Sequence, residues 1–180
     1  MKDRFTPDFM FGHYWEVTPS FLAEQGIRAL LIDIDNTLAP YEMPDPDDRI
    51  RAWFRELDAH GVKTAFVSNN HPPRVERFNE TIGIPAYPDS GKPNRKALLL
   101  AMERLGASRD ETAVLGDQLL TDAFAGKRLG LRAIIVPPIK DKTTLFWRIK
   151  RAVERPYIKR ALSRAPSAER KSPGWRVWER

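Results

Sequence analysis

The sequence predicts an α/β fold in three layers, with a mostly parallel central sheet covered by helices on both faces. Two observations lead there. Five short apolar runs alternate with stretches of helical periodicity, joined by short connections. The first of them, IRALLIDI, is also a continuous apolar run rather than apolar at every second position, as a strand buried on both faces requires.

In chain order, IRALLIDI (27–34) reads as the first buried strand, followed by a loop rich in Pro and Asp (39–48). An amphipathic helix runs from about Asp48 to His60 and ends at Gly61. VKTAFVS (62–68) is the second strand, and a helix over Pro73–Thr81 leads to the short strand IPAY (84–87). The turn DSGKP (89–93) precedes the helix RKALLLAMERLG (95–106), which closes at Gly106. ETAVLG (111–116) and LRAIIV (131–136) are the last two strands, with a helix near Asp122–Leu129 between them. Right-handed crossovers then place every strand's carboxyl end on one rim, where ligands bind. The domain boundaries are an aromatic N-terminal segment (1–26), a core (27–139), a basic helical segment (140–163) and a basic tail (164–180) expected to be disordered.

Composition excludes several chemistries. Among 180 residues there is no cysteine, so disulfides, thiol catalysis and cysteine metal sites are absent. The three histidines lack paired metal-ligand spacing, and no apolar run approaches a membrane-spanning helix. The N-terminus has no signal-peptide pattern, so a cytoplasmic location is expected. The net charge of +6 is unevenly spread: Lys140–Arg180 holds 13 basic and 4 acidic side chains, leaving −3 for the rest. Such a basic segment seeks a polyanion, either an anionic membrane or nucleic acid.

Four motifs fall just after predicted strands or in the turn between them. They are Asp33-Ile34-Asp35-Asn36-Thr37, Ser68-Asn69-Asn70, Lys92 in a Gly-Lys-Pro turn, and Gly116-Asp117 with Asp122 five residues on. A buried strand ending in two carboxylates needs something to offset their repulsion.

In this order the motifs DIDNTL, VSNN, GKP and GDQLLTD resemble those of the haloacid dehalogenase superfamily, over roughly residues 27–137. The resemblance implies a Rossmann-like fold and a phosphatase. Asp33 would be the nucleophile that forms an aspartyl-phosphate. Asp35 would be the general acid and base. Ser68 and Asn69 would hold the phosphoryl group, and Lys92 would neutralise both nucleophile and developing charge. Between the motifs there is no room for an inserted cap, so the site is expected to be open and its substrate to be large or presented by a surface.

Charge counting calls for a metal as well. Asp33, Asp35, Asp117 and Asp122 carry −4 against +1 from Lys92, and a phosphate monoester adds about two more negative charges. An all-oxygen donor set favours Mg²⁺. The expected ligands are Asp33, the Asp35 carbonyl and Asp117, with Asp122 in support.

More narrowly, PDFMF, VTP, LLIDIDNTLAPYE and the Pro-Pro before a basic FWRI helix resemble subfamily IIIA, the YqeG-like phosphatases and mitochondrial phosphatidylglycerophosphate phosphatases, over residues 5–160. That resemblance implies phosphatidylglycerophosphate as substrate. Leu145, Phe146, Ile149, Val153 and Tyr157 form an apolar stripe beside basic residues, with Pro156 expected to kink or end the helix. Such a helix suits the headgroup region of an anionic membrane, so the protein is expected to sit peripherally on its inner face. Its own core is the other surface the stripe could meet. The alternatives are a phosphatase of a soluble sugar phosphate, nucleotide or nucleic-acid end, and a polyanion-binding module without catalysis.

Overall fold

The computed structural model describes residues 4–140 and 145–164. Its centre is a six-stranded, all-parallel sheet in the order β1-β6-β5-β2-β3-β4. The strands are β1 (Phe9–Met10), β2 (Ala29–Ile32), β3 (Lys63–Val67), β4 (Ala86–Tyr87), β5 (Thr112–Gly116) and β6 (Arg132–Ile135). The helices are α1 (Pro19–Glu24), α2 (Asp48–Ala59), α3 (Pro72–Asn79), α4 (Lys96–Leu105), α5 (Phe124–Leu129) and α6 (Leu145–Arg164).

The continuous apolar runs follow from this layering, because successive residues of one strand enter different cores. Leu30 and Ile32 of β2 face Leu22 of α1, Trp53 and Leu57 of α2, and Val75 and Phe78 of α3. Leu31, between them, faces the other core, with Ala97 and Leu98 of α4, Ala125 and Leu129 of α5, and Ile158 of α6. Local chemistry sets the helix ends. The Asp47 carboxylate accepts from Ile50 N at 2.8 Å and starts α2. Gly106, at φ 59°, turns the chain out of α4 in the left-handed conformation that favours glycine. Helix α5 approaches the sheet closely at Gly126, where a Cβ would lie 2.6 Å from Val114 Cγ2.

Two features differ from the sequence expectation. The aromatic N-terminal segment, for which the sequence predicts no strand, contributes β1 at the sheet edge. Asp8 N donates to Ala133 O, and the Asp8 carboxylate accepts from Ala133 N (2.8 Å) and Lys127 Nζ (2.6 Å). Tyr14 is buried edge-on against Trp53, and Phe9 and Phe11 meet Phe21, so most of these rings pack on the core.

The second difference is α6, which does not end at Pro156 but continues to Arg164. Its far half is fastened to the domain, which offsets the hydrogen bond a proline removes. Ile158 and Ala161 are buried, and the buried Glu154 carboxylate accepts from Leu120 N at 3.2 Å. Tyr157 of the expected stripe packs on Phe5, while Val153 is exposed. The side chains of Leu145, Phe146 and Ile149 and the tail from 165 onward lie outside the described residues. No helix among the described residues is long and apolar enough to cross a membrane.

Candidate active site

From β2 the chain steps through β3 and β4 on one side of the sheet, then returns to lay β5 and β6 on the other. The strand order therefore reverses between β2 and β5, and ligands of parallel sheets bind in the crevice at such a point. Asp33 and Asp35 follow β2, Ser68 and Asn69 follow β3, and Asp117 follows β5. All of them stand at this rim. Lys92 reaches it from the turn after β4.

Lys92 is the hub. Its ammonium lies 2.7 Å from Asp33 Oδ1, 2.7 Å from Asp122 Oδ1 and 2.6 Å from the Val67 carbonyl. Lys92, Asp33, Asp117 and Asp122 are all buried. Burial pushes the Asp33 carboxyl up from 3.8 to about 7, with the Lys92 charge opposing it and Asp122 and Asp35 adding to it. Burial works against the Lys92 ammonium too, but Asp122 and Asp33 outweigh it and hold Lys92 above its ordinary value.

Asn69 sets where Lys92 stands. Its Oδ1 accepts from Lys92 N (2.7 Å) and Ser90 Oγ (2.8 Å), and its Nδ2 donates to Lys92 O (3.1 Å). Those bonds engage the side chain expected to touch substrate, so here it positions the Gly-Lys-Pro turn. Ser68 is buried, and its Oγ accepts from Asn70 N at 3.1 Å, which leaves the hydroxyl proton for an acceptor.

Asp35 stands apart from the carboxylate cluster. Its Oδ2 accepts from Asn70 Nδ2 at 2.8 Å, and its Oδ1 accepts from Arg74 Nε and NH2 at 3.2 and 3.1 Å. Arg74 is itself fixed by the Pro44 carbonyl and lies over the Phe78 ring. No local sequence pattern pairs Arg74 with a carboxylate 39 residues earlier.

Asp33, Asp117 and Asp122 each present an oxygen, all within 4.8 Å of one another. Three buried carboxylates against one ammonium form an oxygen-only, net-negative donor set, and that set fits Mg²⁺. The Asp35 carboxylate is turned to Arg74 and is not part of this cluster. Asp122 commits Oδ1 to Lys92 and Oδ2 to Gln118 N at 3.2 Å, which makes it chiefly the anchor of Lys92. It can do so because residue 116 is glycine. A Cβ there would lie 2.5 Å from the Asp122 Cβ. The chain folds Asp122 back over Gly116 through a π-helical turn, Leu119–Ala123, of a kind frequent at functional sites. Thr37, unassigned in the sequence reading, donates to Asp117 Oδ1 at 3.4 Å.

A family model described as haloacid dehalogenase-like hydrolase matches residues 6–130. The chain is 36% identical over 155 residues to the probable phosphatase YqeG of Bacillus subtilis (strain 168), covering 86% of this chain and 90% of that protein. Among solved structures, an uncharacterized protein from Listeria monocytogenes serotype 4b superposes with a TM-score of 0.52. It is 16% identical and covers 66% of this chain and 85% of its own. The cobalt-bound deoxy-D-mannose-octulosonate 8-phosphate phosphatase of Haemophilus influenzae gives 0.50 at 13% identity, over 81% and 96%. At these identities the two structures are likenesses of fold.

Proposed function

The chain belongs to the haloacid dehalogenase-like hydrolases, and from that premise we propose that it hydrolyses phosphate monoesters through an aspartyl-phosphate on Asp33. The substrate we assign is phosphatidylglycerophosphate, yielding phosphatidylglycerol and phosphate. One observation carries the reaction: two carboxylates on one rim have opposite surroundings. Asp33 is buried against Lys92, while Asp35 is more open and held by Arg74 and Asn70. The Lys92 ammonium favours the ionised Asp33 that a nucleophile needs, and Asp35 stands apart on the more open side of the rim, where the leaving oxygen would lie.

An Asp33 oxygen attacks phosphorus, the bond from phosphorus to the alcohol oxygen breaks, and Asp35 gives that oxygen its proton. The Asp35 carboxylate then takes a proton from water as the water oxygen attacks the same phosphorus, which frees Asp33 and inorganic phosphate. Lys92 favours the ionised Asp33 against its burial and, with the Ser68 hydroxyl, meets the phosphoryl oxygens in both steps. Mg²⁺, held by Asp33, Asp117 and the Asp35 carbonyl, would neutralise charge on the phosphoryl group.

The lipid assignment rests on other support. Between Thr37 and Ser68 lie only the loop, α2 and β3, and between Ser68 and Lys92 only α3 and β4, so no cap domain is inserted at either place. An open site suits a substrate presented by a surface. The strongly basic segment beyond residue 140 suits an anionic one, which would place the protein on the inner face of a membrane.

The test is phosphate release from phosphatidylglycerophosphate in mixed vesicles with Mg²⁺, beside a panel of soluble esters. Release from the lipid, reduced on the order of 10⁴-fold or more in Asp33→Asn, is expected. Release from soluble esters alone would remove the lipid assignment, and silence on every ester would remove the phosphatase reading.

A further inference from the structure

A cavity of about 350 Å³ opens beside the catalytic carboxylates, within the size range of small-molecule sites. Its walls are residues 12–15, the loop from Thr37 to Asp47 with Arg49 in the first turn of α2, and residues 136–139. These segments follow β1, β2 and β6, and because the sheet is all parallel they belong to the same rim as Asp33. The cavity and the site share a wall. Thr37 lines the cavity and donates to Asp117 Oδ1, and Asn36 O accepts from the N–H of the cavity residue Ile139.

The lining is mainly apolar, from Leu38, Met43, Ile139 and several prolines. The Trp15 ring is covered by His13, stacked at 4.0 Å, and by the Arg49 guanidinium at 4.6 Å. With its ring engaged in that stack, the wall offers apolar edges rather than a platform for a base. The carboxylate and the guanidinium in its lining are Asp47 and Arg49. Asp47 is occupied in capping α2, and among the described residues no carboxylate forms an ion pair with Arg49.

We infer that this cavity seats the aliphatic part of the alcohol that carries the phosphate, with Arg49 meeting a second anionic group on the same molecule. The inference rests on the phosphatase reading and adds to it the site where the substrate's body is recognised.

Calorimetric titration of the full chain with non-hydrolysable alkyl phosphonates, methyl to octyl, in Mg²⁺ tests it without turnover. Affinity is expected to rise about threefold to fourfold per added methylene while chain enters the cavity, and to flatten once it is full. Ile139→Trp, at a residue 47% exposed, should reduce that slope by narrowing the cavity. A phosphonate with a carboxylate at its far end should bind more tightly than the plain chain, and Arg49→Gln should abolish the difference. Methylphosphonate bound as tightly as octylphosphonate, or an unchanged slope in Ile139→Trp, would overturn the subsite. No binding by any phosphonate, together with no hydrolysis of any ester, would overturn the phosphatase reading and the subsite with it.

Discussion

Replacing Lys92 by Met keeps the apolar stem and removes the charge at the centre of the site. The ammonium stands 2.7 Å from both Asp33 Oδ1 and Asp122 Oδ1 with its side chain only 5% exposed. At an effective dielectric constant of ~20, each contact is worth about 6 kcal/mol of Coulomb energy. Desolvating the ammonium offsets several kcal/mol of this, and breaking a buried pair typically costs a net ~3–5 kcal/mol. The loss must depend on pH. Asp33 has its pKa raised from 3.8 to about 7 on folding, so its contribution to stability is full below 3.8 and disappears as pH rises through about 7. Without Lys92, whose charge opposes that rise, the carboxyl climbs further, and ionisation becomes more costly to the fold. Urea unfolding in chelator should therefore show Lys92→Met destabilised by ~3–5 kcal/mol at pH 8 and by clearly less at pH 5, where Asp33 is protonated in both proteins. The same loss at both pH values, or under about 1 kcal/mol at pH 8, would refute the reasoning.

Three other substitutions probe the supports of the site. Gly116→Ala drives a methyl into Asp122, which must leave Lys92, and turnover should fall ~10²-fold or more; wild-type turnover in a folded variant would show that Asp122 does not need this approach. Arg74→Gln should slow alkyl phosphates ~10²-fold but spare acyl phosphates, whose leaving groups need no proton, and an equal drop on both would deny Arg74 a role in positioning Asp35. Asp8→Ala should cost about 1–2 kcal/mol and speed hydrogen exchange at Phe11 N–H, which bonds Ile135 O across the sheet edge; unchanged exchange would detach the Asp8 carboxylate from the anchoring of β1.

Strands β2 to β6 and the rim motifs were legible because short apolar runs bounded by turn residues mark strands, and carboxylates can end such a run only where something compensates them. The edge strand β1 was not legible. Two residues, Phe9 and Met10, carry no period, and their place depends on Asp8 reaching Ala133 and Lys127, more than a hundred residues away. Helix α6 was legible as a helix, but its stripe did not show which face docks. The anchor is a buried glutamate, Glu154, that no hydrophobic pattern selects, and that anchorage carries the helix past Pro156. In the site, the residue types named the chemistry but not the partners. That Asn69 holds Lys92, Arg74 holds Asp35 and Gly116 makes room for Asp122 are consequences of tertiary packing.

The most direct test of the account is whether phosphate becomes covalently attached to Asp33. Acid-quenching a single turnover within milliseconds and mapping the peptides by mass spectrometry should find one phosphoryl group on the peptide containing Asp33. It should decay as free phosphate appears and be missing from Asp33→Asn. Full turnover with no phosphoryl-enzyme on the way, or a phosphoryl group on another residue, would contradict the assignment of Asp33 as nucleophile.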